Sequence, residues 1–162
     1  VAVKARDVGF EVVYDGIRMT PDELVARVEN LSSRERVYFM VDTLEHLYKG
    51  GRIGGAQMLF GSILQVKPIL TIKNGRIEPV ESQRTKRRAL DRMKEIIEAE
   101  CPRNSEAHVT IMHGDNADEA AVYANELKQA LGVGEVPLYL LPSAILVHAG
   151  PKVLGVSFFV AE

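Results

Sequence analysis

Apolar and polar positions along the chain alternate between helical and strand periods, and the first strongly periodic segment opens at Thr20-Pro21-Asp22-Glu23. Thr is a favoured N-cap, and Pro suits the first helical position because its missing N–H would be unpaired there. A Glu three residues after the cap closes a capping box. Leu24, Val28 and Leu31 then recur at helical spacing. Before this helix, residues 1–7 read as the last turns of another, 10–14 as a short strand, and Asp15-Gly16 as a turn. Residues 36–40 (RVYFM) predict a strand. Asp42, with Glu45 behind it, predicts a helix start, and Gly50-Gly51 its end. Ala56, Leu59, Phe60, Ile63 and Leu64 then form one apolar helical face.

The second half continues with a strand over 68–72, an Asn74-Gly75 hairpin turn and a return strand over 76–80. A helix over 85–100 places Ala89, Met93, Ile96 and Ile97 together, and a strand follows over 107–112. Asn116, with Glu119, caps a helix carrying Ala120, Ala124, Leu127 and Leu131 on one face. Strands over 136–140, 144–147 and 155–160 end the pattern. Strict strand–helix alternation would make a doubly wound parallel sheet. The hairpin and the run of closing strands break that alternation. The expected fold is therefore α+β: a mixed sheet with helices packed mainly on one face, as a two-layer sandwich.

Composition narrows this picture. The chain has 162 residues, one domain's worth, with 46% hydrophobic and 26% charged residues, so it can build a sizeable core. A formal net charge of −2 argues against a nucleic-acid partner. No apolar run is long enough for a spanning helix, and no secretory leader opens the sequence. The single cysteine, Cys101, has no internal partner, which fits a reducing, cytoplasmic setting. The sequence begins without Met, as a piece of a longer protein would. It contains no nucleophile elbow, P-loop, dinucleotide glycine fingerprint or zinc-ligand spacing. The expectation is a binder with no cofactor or metal, rather than an enzyme.

Candidate chemistry gathers at four places. Arg52 sits on the Gly50-Gly51-Arg52-Ile53 turn, where a planar guanidinium can address a carboxylate or phosphate; a cation at a helix C-terminus has a purely structural use as well. His148 ends the predicted strand 144–147 and precedes Ala149-Gly150-Pro151, with Lys152 next to the turn. His113-Gly114-Asp115 offers a His–Asp pair, but Asp115 or Asn116 is better used in capping, so a structural role is expected. The basic run 83–88 (QRTKRR) serves either an acidic partner or a solvated helix start. Phe158 and Phe159 alternate on their strand, so at most one of them reaches a pocket.

Several of these motifs occur together and in order: Thr43-Leu44, Leu47, the Gly50-Gly51-Arg52-Ile53 turn, the 64–70 segment LQVKPIL, and Asn74-Gly75-Arg76-Ile77. His113-Gly114-Asp115, His148-Ala149-Gly150-Pro151 and Leu154-Gly155-Val156 follow. In this the chain resembles the DegV family of bacterial fatty-acid-binding proteins, over roughly residues 24–160. The resemblance implies a C-terminal, lipid-binding domain over 24–162. Residues 1–23 would be a lead-in, either the remnant of a missing N-terminal domain or a junction. It implies a long-chain fatty acid as ligand, whose carboxylate is presented to a separate fatty-acid kinase for phospholipid metabolism. His148 and Arg52 would address the head group, and Arg52 would also contact the kinase. Ala56, Leu59, Phe60, Ile63, Leu64 and Phe158 are the acyl-tunnel candidates. A missing N-terminal domain or a homo-oligomer would complete the site. The segment 4–25 is locally similar to the cobalamin-binding domain of acyl-CoA mutases, although the cobalt-ligating histidine motif is absent. A cobalamin- or nucleotide-binding fragment, and a dimerising scaffold without ligand, are the alternatives.

Overall fold

The computed structural model describes residues 20–59, 66–103 and 107–161. The chain divides between Ser33 and Arg34 into two units. Of the first, the described part lies almost wholly in helix α1 (Pro21–Arg34). Its start is the expected capping box. The Thr20 amide donates to Glu23 Oε2 at 2.6 Å, and the Glu23 amide donates to Thr20 Oγ1 at 3.3 Å. The proposed elements over 1–7 and 10–14, and the Asp15-Gly16 turn, lie outside the described residues.

The second unit is built on β1 (Glu35–Met40), α2 (Glu45–Lys49), a 3₁₀ segment (Gly54–Leu59), β2 (Lys67–Lys73), β3 (Arg76–Gln83) and α3 (Lys86–Glu100). It continues with β4 (Thr110–His113), α4 (Ala117–Leu131), β5 (Leu138–Leu140), α5 (Ser143–Ala149) and β6 (Leu154–Phe159). The six strands form one sheet in the order β3-β2-β1-β6-β4-β5. Every neighbouring pair is antiparallel except β4 with β5. The sheet is mixed, as expected, and the fold is α+β.

The β2–β3 hairpin turns at Asn74 and Gly75, with φ of 52° and 72°, the positive values that a two-residue hairpin turn requires. A bulge between Ile69 and Leu70 shifts the register, so that Pro79 faces Leu70. Proline is tolerated there because β3 is an edge strand.

Alternation along the strands sends side chains into two separate cores. Tyr38 and Met40 join Ile69, Ile111, Leu154, Val156 and Phe158 beneath α3 and α4. Phe39 and Val41 join Leu47, Ile53, Ala56, Leu70, Ala149 and Val153 on the other face. The two long helices share the first face, whereas α2, the 3₁₀ segment and α5 contribute to the second. The long helices are also pinned to one another. Tyr123 Oη donates to the Leu90 carbonyl at 3.0 Å. Lys86 pairs with Glu119 at 2.6 Å, and Arg87 with Glu126 at 2.8 Å.

Several local expectations need correcting. Residues 144–147 are not a strand but part of helix α5. Ile145 and Val147 are β-branched and favour a strand locally, yet a helix puts Ala149 into the second core and Leu146 against it. Residues 54–59 form a 3₁₀ rather than an α-helical turn, and 60–65 lie outside the described residues. Asp42 does not cap α2. Lys67 Nζ donates to its Oδ1 at 2.9 Å, while Thr43 Oγ1 accepts the Glu45 amide at 3.2 Å. Asn116 occupies the N-cap of α4 without a side-chain cap bond, because its amide group donates to Glu119 and its carbonyl oxygen accepts the Gly114 amide.

Candidate functional site

The second face of the sheet carries a cleft of about 480 Å³, within the usual range of small-molecule sites. Its floor comes from strand residues of one parity: Val37 and Phe39, Gly155 and Ser157, Thr110 and Met112. Ile72 and Ile77 extend the floor across β2 and β3. Leu47 of α2 forms one wall, and Ala144, Ile145 and Ala149 of α5 form another. Gly155 keeps the floor low. A Cβ there would stand 3.2 Å from the Cβ of Phe39, and any longer side chain would fill the cleft. The cleft is largely apolar and open: Ile72 and Ile145 line it yet remain 54% and 48% exposed.

Polar groups sit at opposite ends of the strands. Arg52 and His148 line the cleft where β1 ends and β6 begins, beside the C-termini of α2 and α5. Glu35, Thr110 and Ser157 line it toward the other end, with Ser157 Oγ donating to Glu35 Oε1 at 3.1 Å. The fold thus brings together the two residues singled out for a head group, although one reaches its place differently. His148 lies in the last turn of helix α5 instead of ending a strand.

Arg52 is exposed, and its backbone is fixed by the helix end. Its amide donates to the Leu47 carbonyl and its Nη1 to the Gly50 carbonyl, each at 2.9 Å. Gly51 supplies the φ of 66° that the turn needs. His148 is half-buried, and its Nδ1 is buried without a hydrogen-bond partner among the described residues.

The tunnel candidates divide. Phe158 does not line the cleft. It is fully buried on the opposite face, its ring 6.1 Å from that of Tyr38, because even-numbered positions of β6 point toward α3 and α4. Ala56 is fully buried in the second core and Leu59 packs against it, so both support the wall from behind rather than face the cavity. Phe60, Ile63 and Leu64 lie outside the described residues. Thr110, Met112, Ile145 and Ser157 line the cleft but were not picked out from sequence. Strand parity groups such residues on one face. It does not tell which of two buried faces is left open.

His113 is 9% exposed, and its Nδ1 lies 2.7 Å from the Gly114 carbonyl oxygen, which it meets as a donor. Gly114 packs against the Pro151 backbone, where a Cβ would overlap the carbonyl. The motif thus holds two turns together. Among the described residues no group of three or more His, Cys, Asp or Glu is placed to hold a metal ion. Two cations of the basic run are engaged within the fold: Lys86 by Glu119, and Arg87 by Asp91 and Glu126. These carboxylates offset the poor placement of cations at a helix N-terminus. Lys67 holds the Asp42 carboxyl below its ordinary range, with Lys152 adding to the effect. The cobalamin-like stretch 4–25 lies mostly outside the described residues. Among those described, no helix is long and apolar enough to cross a membrane.

Comparison with known proteins matches these features. The family model described as "Uncharacterised protein, DegV family" matches residues 12–161. A DegV domain-containing protein of Streptomyces coelicolor is 39% identical over 138 residues, covering 85% of this chain and 49% of that protein. Protein DegV of Bacillus subtilis is 33% identical over 146 residues, covering 90% of this chain and 52% of that one. A solved DegV family protein from Thermus thermophilus, described for fatty acid binding, superposes with a TM-score of 0.78 at 28% identity, covering 99% of this chain and 54% of its own. The structure of Bacillus subtilis DegV, described as a fatty acid binding protein, superposes with a TM-score of 0.72 at 29% identity, with the same coverage of 99% and 54%. The chain spans about half the length of the relatives it matches. With the family model running through nearly the whole sequence, the chain belongs to the DegV family.

Proposed function

We propose that this chain supplies the tail cleft and part of the head-group site of a long-chain fatty-acid carrier. The observation that carries this reading is that Arg52 and His148 line the same largely apolar cleft. The fatty-acid binding described for the Thermus and Bacillus relatives supports it. The acyl tail would lie on Val37, Phe39, Met112 and Ile145, not against Phe158. Each methylene removed from water contributes about 0.8 kcal/mol, so the tail would dominate affinity and the polar pair would set orientation. His148 would donate a hydrogen bond to the carboxylate, and Arg52 would add charge. A second domain, or another copy of the chain, would cover the exposed side chains of Ile72 and Ile145. The chain itself would bind rather than catalyse. It would present the carboxylate in the cytoplasm to a separate fatty-acid kinase, with Arg52 at the contact.

Mass spectrometry of natively purified protein tests the ligand. A co-purified fatty acid is expected, either on this chain or on the longest natural form that contains it; finding none on either sinks the reading. The kinase role is separate. Arg52→Ala is expected to lower acyl-phosphate formation with the cognate kinase, and full activity would remove Arg52 from that contact.

A further inference from the structure

Gly50 is the C-cap of α2, with φ −79° and ψ −4°, values open to any residue. The backbone therefore does not call for glycine here. Space does: a Cβ at Gly50 would overlap His148 Nδ1 and stand 3.1 Å from its Cε1. The contact has a counterpart. A Cβ at Gly150, beside α5, would stand 2.7 Å from His46 Cδ2, and the His46 carbonyl accepts the Gly50 amide at 2.9 Å. Each of the two short helices thus rests a histidine on the other's terminal glycine. On its other side, the Gly50 carbonyl accepts from Arg52 Nη1.

The contact also bears on where the His148 ring carries its proton. A buried N–H without an acceptor is costly, and Nδ1 is buried without a partner among the described residues. The tautomer that avoids an orphaned donor keeps its proton on Nε2.

We propose that Gly50 is the positioning residue of the head-group site: its bare Cα seals His148 Nδ1, leaving Nε2–H as the donor to a ligand, while its carbonyl holds Arg52. This rests on the fatty-acid reading above. One glycine thereby sets both polar groups at once.

The test uses the longest natural form of the protein containing this chain, with ¹⁵N-labelled histidine rings, hexadecanoic acid and hexadecanol. In the unsubstituted protein His148 Nδ1 is expected to show the pyridine-like shift of a bare nitrogen. A proton found on Nδ1 overturns the proposal without any variant. Gly50→Ala is expected to move the His148 ring signals and to weaken hexadecanoic acid binding about tenfold, as loss of a hydrogen bond to a charged group would. Hexadecanol binding should hold, because the alcohol shares the tail but lacks the carboxylate. Unchanged affinity for the acid, or equal loss for acid and alcohol, overturns the positioning role. Gly134→Ala, where the added carbon meets nothing within 4 Å, is the control. If the unsubstituted protein binds neither ligand, the fatty-acid reading itself fails and the role of Gly50 falls with it.

Discussion

The two faces of the sheet are built for different ends. Under α3 and α4 the packing is closed: Met93, Ile97, Ile111, Leu127 and Phe158 are all fully buried. Tyr38 reaches the edge of this core and donates to Glu100 at 2.9 Å. The other face has short helices, a glycine in its floor, and large apolar side chains left in contact with solvent. Long amphipathic helices bury a stripe several turns long, whereas short ones cover only part of a sheet. The closed face would keep the sheet rigid, and the open face would use that rigidity to hold Arg52 and His148 above a fixed floor.

Large-to-small substitutions offer the sharpest way to break this comparison. Phe158→Ala is expected to destabilise by about 3–5 kcal/mol, the usual cost of emptying a buried aromatic site. Ile145→Ala, on the half-exposed wall of the cleft, is expected to change stability by no more than about 0.5 kcal/mol while weakening acyl binding. Denaturant unfolding of both variants checks the contrast. Similar losses in the two would mean that the faces are energetically alike.

A smaller effect is expected at the rim of the closed core. Burial and the Glu100 carboxylate push the Tyr38 hydroxyl up to about 12. Tyr38→Phe should cost about 1–2 kcal/mol, because a hydrogen bond to a charged group is lost at a half-buried site. It should also remove a tyrosine that resists ionisation in a spectrophotometric titration up to pH 11 or so.

Glu126 gives a pH-dependent test of the tie between α3 and α4. Arg87, and then Lys94, hold its carboxyl below the ordinary 4.5. A carboxyl lowered on folding stabilises the fold above its unfolded value, and that contribution disappears as pH falls through the lower folded value. Glu126→Gln should therefore cost about 0.5–1 kcal/mol near neutral pH, given how exposed the pair is. The gap to the unsubstituted protein should close below about pH 4.5. A gap that stays constant down to pH 3 would assign the effect to packing. Smallest in energy is the test at Cys101, whose thiol burial pushes up to about 11. Its alkylation at pH 8 should be slow until the protein unfolds, and rapid labelling of the folded chain would show the closed face to be open.

Much of this was legible in local sequence. The Thr20–Glu23 box, the Asn74-Gly75 turn and the apolar stripes of α3 and α4 depend on neighbours a few residues apart. Their signals survive without knowledge of the rest. The segment 144–147 misled because β-branched Ile145 and Val147 argue for a strand, while its helix is fixed by packing on residues far away in sequence. Phe158 misled for a related reason. Parity showed that it and Phe159 part company, but not which side was covered.

The sequence by itself determined most of the elements and the mixed sheet, and it singled out Arg52 and His148, because capping, turn and periodicity signals are local and the family motifs are ordered along the chain. Only the tertiary structure decided that Arg52 and His148 meet beside Gly50, and that Ser157 and Met112, rather than Phe158, line the cleft. Those facts depend on strand order and on which helices lie over which face. They arise from contacts between segments about a hundred residues apart, which no short-range pattern encodes.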